Sequence, residues 1–479
     1  MLSRLDLKWF YGIGGAFILL NVICFAFDFY FASFLPLVPV VFYFIFVHTD
    51  KLIYFLAFAT PLSIPLKDIG GGIGLTLPTE PLIVFLFLGF MFKLIQGKQF
   101  ELKILRNPIV IIVLLNIIWL TITTVTSVQP LISTKYTLSY VWYTFVFLLV
   151  LAHFFRNPKR IRIFIWCLSI ATGILVIYTL KNHAAESFTR LYAYTAMRPF
   201  LPDHGMYAAA ISFVIPAMFV MGVFGVKGKS NWFWIGMALG LFALITLGVI
   251  FSFTRASWLS LVVAFIVMVL LLMRVQFKTV MGIGVVLSVL LLLFQGLIMM
   301  ELSRNKQDSD DDIEDHLQSF SNVSTDPSNL ERLNRWSSAY RMFLDKPVLG
   351  FGPGTYTYEY APYQLSSEMT IISTNAGDQG NVHSEYFRPF AESGVLGGLL
   401  FIALVLVVLS EGFYVFHNGE SNEIRILSMA VLLGLITYFV HGLLNNYSEF
   451  DKIAVPMWGF IAAIVSLKTY HLKKAEKPK

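Results

Sequence analysis

Three short stretches gather polar side chains that the apolar sequence around them does not explain. In FSFTRASW, Arg255 stands in a link of a few residues between two apolar runs, so its guanidinium lies at a membrane boundary. A charge at that depth is functional by default, although a snorkelling arginine marking a helix end is the plainer alternative. In TRLYAYTAMRPFLPDHGMYAA, Arg190, Arg198, Asp203 and His204 converge while Pro199 and Pro202 stiffen the segment. Two arginines at a membrane surface suit a phosphate-bearing lipid, because guanidinium forks onto phosphate oxygens. An ordinary charged loop is the alternative, and Asp203 and His204 equally fit as caps of the next helix, Asp by accepting backbone N–H bonds. In NVHSEYFRPFAESGVLGG, His383, Glu385, Tyr386, Arg388 and Glu392 fall on an expected helix with His383 near its start. The positive end of a helix opposes imidazole protonation and keeps a neutral base, and free N–H groups there receive an anion. A lone histidine also fits a structural role.

The elements that must position these groups are membrane helices. The 479 residues are 57% hydrophobic and 13% charged, with a mean hydropathy of +0.72, too apolar for a soluble domain of ordinary composition. Apolar runs long enough to span a bilayer predict about fourteen helices. They fall near 10–27, 31–47, 52–66, 81–95, 109–127, 138–155, 161–180, 204–226, 232–252, 257–273, 278–299, 394–416, 427–445 and 453–468. The organisation expected is a transmembrane bundle over 1–299, an outer loop domain over 300–393, and terminal helices with a basic tail over 394–479. The first helix lacks a small-residue cleavage site and reads as a retained anchor.

Basic residues set the orientation, since Lys and Arg collect in short cytoplasmic loops. Arg4 and Lys8, the stretch from Lys98 to Arg106, RNPKRIR from Arg156, Lys227 and Lys229, and the tail all fall on one side. That places both termini in the cytoplasm and the 300–393 loop outside. The net charge of +6 therefore serves topology and anionic lipid, not nucleic acid. Cys24 and Cys167 are isolated thiols in expected helices, which gives no metal or redox pattern.

The loop opens with DSDDDIED from Asp308, whose Asp-x-Asp spacings resemble metal ligands but lack the glycine of a calcium loop, so it reads as a solvated segment. An amphipathic helix follows, with Ser328 and Glu331 as a capping box and Leu330, Leu333, Trp336, Tyr340 and Phe343 as its apolar face. Arg332, Arg335 and Arg341 form its polar face, and GFGPG from Gly350 ends it. That turn has no Walker lysine and follows a helix, so it is not a nucleotide motif.

Together, MRPFLPDHGMYAA, SFTRASWLSL, ERLNRWSSAYRMFLDKPVLGFGPGTY and GNVHSEYFRPFAESGVLGG resemble the O-antigen ligase and polymerase superfamily over roughly 190–400. The resemblance implies a GT-C-like, all-α polytopic glycosyltransferase of the bacterial inner membrane, with its large loop periplasmic. It would use no cofactor or metal and would draw on a polyprenyl-diphosphate-linked glycan as donor. It assigns Arg198 and Arg255 to the diphosphate and His383 to catalysis. Arg190, Asp203, His204, Arg335, Glu385, Tyr386 and Arg388 are secondary candidates. Many members carry an asparagine where this chain reads Pro-Asp-His, which puts any role of that asparagine in doubt here. Fixed arginines would stabilise the leaving diphosphate, and a neutral base would take the acceptor's proton with inversion. Such a base would lose activity below about pH 6 to 7. Ligation to a glycolipid such as lipid A core is favoured as the reaction. Polymerisation onto a lipid-linked repeat uses the same donor chemistry, and a lipid-linked sugar transporter is the alternative of another class, marked by repeats and midplane polar sites that are not evident here.

Overall fold

The computed structural model describes residues 4–26, 39, 43–44, 47–66, 75–96, 102–225, 232–286, 289–290, 293, 327–374 and 380–473. Its helices are α1 (Arg4–Ala26), α2 (Thr49–Ala59), α3 (Thr79–Ile95), α4 (Pro108–Val125), α5 (Pro130–Phe154), α6 (Pro158–Ala185), α7 (His204–Val223), α8 (Trp232–Ile250), α9 (Arg255–Leu272), α10 (Pro327–Asp345), α11 (Phe387–Asn418), α12 (Asn422–His441) and α13 (Asp451–Tyr470). Local chemistry sets several starts. Pro108 and Pro158 occupy first turns, where no N–H is needed, and the Asn107 and Asn157 side chains before them accept backbone N–H bonds at 3.0 and 3.1 Å.

Among the described residues, nine helices are long and apolar enough to cross a membrane. They are α4 to α9 and α11 to α13, so the chain is a multi-pass membrane protein. The other five expected spans fare differently. Most of the span at 31–47 lies outside the described residues, as does the acidic run at Asp308, and that at 278–299 appears at its start as a shorter apolar helix, Phe277–Val286. The span at 10–27 appears as α1, whose apolar stretch is shorter, and that at 81–95 as the 17-residue α3. The span at 52–66 is not one helix. After α2 the chain meets Pro61 and Pro65, which interrupt helical bonding, and it turns into a short antiparallel hairpin, β1 (Ile64–Leu66) with β2 (Leu75–Leu77). Among the described residues the fold is mostly helical, as expected, with one small hairpin added.

α12 and α13 form the centre, buried along most of their length, whereas α4 and α8 turn most of theirs outward. At one end of the bundle lie the basic residues. Arg162 pairs with Glu423, Lys468 with Glu411, and His471 with Glu420. The opposite end carries α10 and the segments 346–374 and 380–386.

α11 is broken near its start. Gly394 has φ +68°, and an added Cβ there would lie 2.1 Å from the Val348 carbonyl. The GFGPG turn docks into this break. Phe351 N donates to Ala391 O at 3.1 Å, Gly352 N to Glu392 O at 2.8 Å, and Val395 N to Pro347 O at 2.8 Å.

α10 lies the other way round from the sequence expectation. Glu331, Asn334, Arg335 and Ser338 are buried, while Leu333, Tyr340 and Leu344 are exposed. The cause is what the helix covers, since Glu331, Asn334 and Arg335 meet polar partners while Ala339 and Met342 further along pack into a small apolar core with Phe351, Tyr356 and Tyr360.

Candidate active site

Four chain segments meet at the end of the bundle beneath α10. The link from α8 to α9 is only a few residues, with Phe253 in the left-handed region at φ +52°. Thr254 Oγ1 donates to the His204 carbonyl at 3.3 Å, so the two stretches flagged by the sequence adjoin. One turn into α9, Ser257 Oγ lies 3.1 Å from Nδ1 of His441, the last residue of α12, and Asn445 Nδ2 lies 3.1 Å from the other ring nitrogen. Glu385 N donates to Gly442 O at 2.8 Å, which pins the segment before α11 to the end of α12. From above, Arg332 Nε donates to Leu444 O at 3.3 Å.

His383 stands at the centre. The helix expected to carry it starts only at Phe387, and His383 sits upstream in left-handed backbone at φ +54°. Its carbonyl accepts from Trp336 Nε1 at 3.2 Å, its N–H donates to Asn381 Oδ1 at 3.2 Å, and Asn445 stands beside its ring. Burial pushes the imidazole down to about 4, assisted by the Arg332 and Arg335 guanidiniums. Helix-end polarity is therefore not the main agent. The ring is neutral and its Nδ1 is enclosed without a hydrogen-bond partner.

Arg335 and Glu331 form a buried pair at 2.6 Å. Burial alone would raise the Glu331 carboxyl, but the Ser373 hydroxyl, Arg335, Thr370 and Asn334 outweigh it and hold it below the usual range. Arg335 also donates to Thr374 Oγ1 at 2.8 Å and lies over the Tyr360 ring at 4.1 Å, while its Nη1 has no hydrogen-bond partner. Gly380 is needed where this guanidinium passes, since a Cβ would lie 2.3 Å from Nη1. Glu331, Arg335, Thr374, Asn381 and His383 line one open cavity of about 450 Å³.

The other residues singled out by the sequence divide into three groups. His204 belongs to the cluster, with Arg190 and Arg332 as its cationic neighbours and an enclosed Nδ1 lacking a partner. Asp203 caps α7 by accepting from Met206 N at 2.8 Å. Arg255 opens α9 at the shared turn. Arg198 is exposed, donates to the Pro202 carbonyl at 3.4 Å, and makes no bond to the cluster. Glu385, Tyr386 and Arg388 turn elsewhere. The Glu385 carboxylate accepts from Tyr438, from Ser448 N at 2.8 Å and from Ser448 Oγ at 3.0 Å. Tyr386 donates to Phe439 O at 3.0 Å. Arg388 is ringed by Glu385, Glu392 and Glu449.

Residues 240–402 match the O-antigen ligase family. That match supports the resemblance of this chain to the O-antigen ligase superfamily. The matched stretch contains Arg255, α10, the GFGPG turn and His383, and the family indicates ligase- or polymerase-type glycan transfer. Arg190, Arg198, Asp203 and His204 precede it, and His441 and Asn445 follow it. No curated protein matches the chain.

Sequence reasoning missed Asn445 and His441 because the apolar run was read as one helix to 445, whereas α12 stops at His441. The available signal was an ionisable residue at the end of an apolar helix, followed by the polar run NNYSE. Arg332 was visible on the polar face of its helix, but no role was assigned to it.

Proposed function

We propose that the chain transfers a glycan from a polyprenyl-diphosphate carrier to a glycolipid acceptor, lipid A core favoured, at the periplasmic face of the bacterial inner membrane. The observation that carries the reading is the convergence of guanidiniums on a neutral imidazole whose Nδ1 has no hydrogen-bond partner. Arg332 and Arg335 act on His383, Arg190 and Arg332 on His204, and Arg255 opens the adjoining helix. A leaving diphosphate needs fixed cations, and an attacking hydroxyl needs a neutral base, with both held away from water.

In this reaction the acceptor oxygen attacks the anomeric carbon from the side opposite the diphosphate. The bond from that carbon to the bridging phosphate oxygen breaks, its electron pair leaves with the polyprenyl diphosphate, and the configuration inverts. The acceptor's proton passes to His383. Arg255 and Arg332 take the developing charge, with Arg190 beside them and Arg198 at the rim. No metal takes part in this scheme. The carriers of charge are arginines throughout, which suits an anionic lipid donor drawn from the outer leaflet. α10 and the segment to 386 serve as a lid over the site within the outer loop domain at 300–393. Both termini and the basic end of the bundle face the cytoplasm, in keeping with the preference of Lys and Arg for that side.

Polymerisation shares this donor chemistry, so the acceptor decides between the two. Deleting the gene and analysing glycolipids separates them. Loss of a ligase leaves long polymer on the carrier and bare acceptor, and that is the expected result. Acceptor bearing a single repeat would assign the chain to polymerisation, and unchanged glycolipids would end the transferase reading.

A further inference from the structure

The segment from His383 to Arg388 has two sides, and the second faces a cavity of its own. His383 is turned to Arg332 and Arg335. Glu385 and Arg388 instead line a cavity of about 370 Å³ between α4, α5, α11 and α13, capped by Gly354 to Tyr358 of the outer segment. That volume is within the range of small-molecule sites. Its mouth carries the exposed Lys135 and Tyr358 and the partly exposed Glu449. The cavity then descends beside α5 from Ile132 to Tyr143, roughly 16 Å at about 1.5 Å per residue, which is half the thickness of a bilayer's hydrocarbon.

Polar atoms follow the cavity down. Asn116 Nδ2 donates to Tyr140 Oη at 2.9 Å in the middle of two membrane helices. Lower still, Tyr143 is 5% exposed and its hydroxyl has no hydrogen-bond partner. Arg388 Nε, at the upper end, also lacks one. Arg388 Nε still has the Glu392 carboxylate 4.0 Å away, whereas the Tyr143 hydroxyl is enclosed beside the cavity with no hydrogen bond, a group that a hydroxyl-bearing ligand would satisfy.

The charge selects the ligand class. Three carboxylates, Glu385, Glu392 and Glu449, face two cations, Arg388 and Lys135. This balance opposes a phosphate, in contrast to the arginine cluster across the segment. Carboxylates, tyrosine hydroxyls and the flat rings of Tyr136 and Trp458 suit a sugar, with its hydroxyl edge and apolar faces. Leu404, Met457 and Ile461 add an apolar wall that suits an attached lipid chain.

We propose that this cavity binds an uncharged terminal sugar of a glycolipid, and that this glycolipid is the acceptor. The second half of the statement rests on the transferase reading above, whereas saccharide binding does not. The geometry fits a two-substrate enzyme, because donor and acceptor cavities then flank one short segment, whose His383 lines the first and whose Glu385 and Arg388 line the second.

The test is equilibrium binding of radiolabelled octyl glucoside, below its micelle concentration, to the full chain in nanodiscs, with octyl phosphate as the charged control. Saturable glucoside binding and no phosphate binding are expected. Tyr143→Phe, which keeps the shape and removes one hydroxyl, should weaken glucoside binding by about 3- to 10-fold. Ser139→Phe, which fills the cavity from its wall, should weaken it further. In transfer assays both variants should raise the acceptor KM and leave the donor KM unchanged. Undiminished glucoside binding in Tyr143→Phe, or octyl phosphate binding as tightly as the glucoside, overturns the site. Glucoside binding in a chain that transfers nothing would retain the site and remove the acceptor assignment alone.

Discussion

The pH dependence of transfer should split between its two kinetic parameters, because the environment of His383 differs between the empty and donor-bound site. In the empty site burial and two guanidiniums hold the imidazole at about 4. At pH 5 it is then about nine-tenths neutral, whereas a histidine of ordinary pKa would be about 3% neutral. Donor binding brings anionic phosphate against those guanidiniums. One negative charge about 6 Å from the ring, at an effective dielectric of about 20, favours the imidazolium by roughly 3 kcal/mol. That equals about two pH units. The neutral base is lost as pH falls through its pKa, and kcat/KM reports the free enzyme while kcat reports the complex. The acid limb of kcat/KM should therefore lie near pH 4, and that of kcat about two units higher. Initial rates of glycan transfer in nanodiscs between pH 4 and 8, with both substrates varied, measure the two limbs. A common midpoint near 6.5 would refute the argument, since it would mean a solvated histidine that feels neither the arginines nor the donor. This revises the simpler expectation of a loss below about pH 6 to 7, which ignored the lid arginines.

Arg255→Lys should lose about 10²-fold or more in transfer while the protein accumulates normally, because lysine cannot fork onto two phosphate oxygens; near-full activity would reduce Arg255 to a helix-end marker. Gly394→Ala should lower the unfolding midpoint, with a cost of about 1 to 3 kcal/mol from left-handed strain alone, and the contact with the Val348 carbonyl adds to it; an unchanged midpoint in nanodiscs would show that the break can relax. Alkaline phosphatase fused at residue 320 should be active and at residue 420 inactive, and the opposite pattern would invert the orientation on which the periplasmic site depends.

Much of the membrane fold was legible because apolar runs of bilayer length are a strong signal, and all nine long helices coincide with expected ones. Where the reading failed, two short-range effects explain it. Pro61 and Pro65 broke a run that was apolar but not helical, and α12 stopped at His441 while its hydrophobicity continued through Leu443 and Leu444. In the candidate site, Arg255 and His383 could be singled out from residue type and spacing. The cavity under Arg388 could not, because Asn116, Tyr143, Arg388 and Glu449 lie far apart in sequence and meet only when four helices pack. The inward turn of α10 was hidden for a related reason, as amphipathic patterning gives two faces but not which of them meets the protein.

The reversed helix α10 also sets how the outer segment can be studied. With Glu331, Asn334 and Arg335 turned inward and Leu333, Tyr340 and Leu344 outward, the helix keeps charged groups inside and apolar ones outside, beside the small apolar core it shares with Phe351 and Tyr356. Cut away from the bundle, it would lose the partners of its charged side and offer its oily side to water, a combination that favours clumping over refolding. Antibodies, crystals or inhibitor screens aimed at the isolated segment would therefore meet a different object from the one that covers the site, and work on it belongs with the whole chain in a lipid environment.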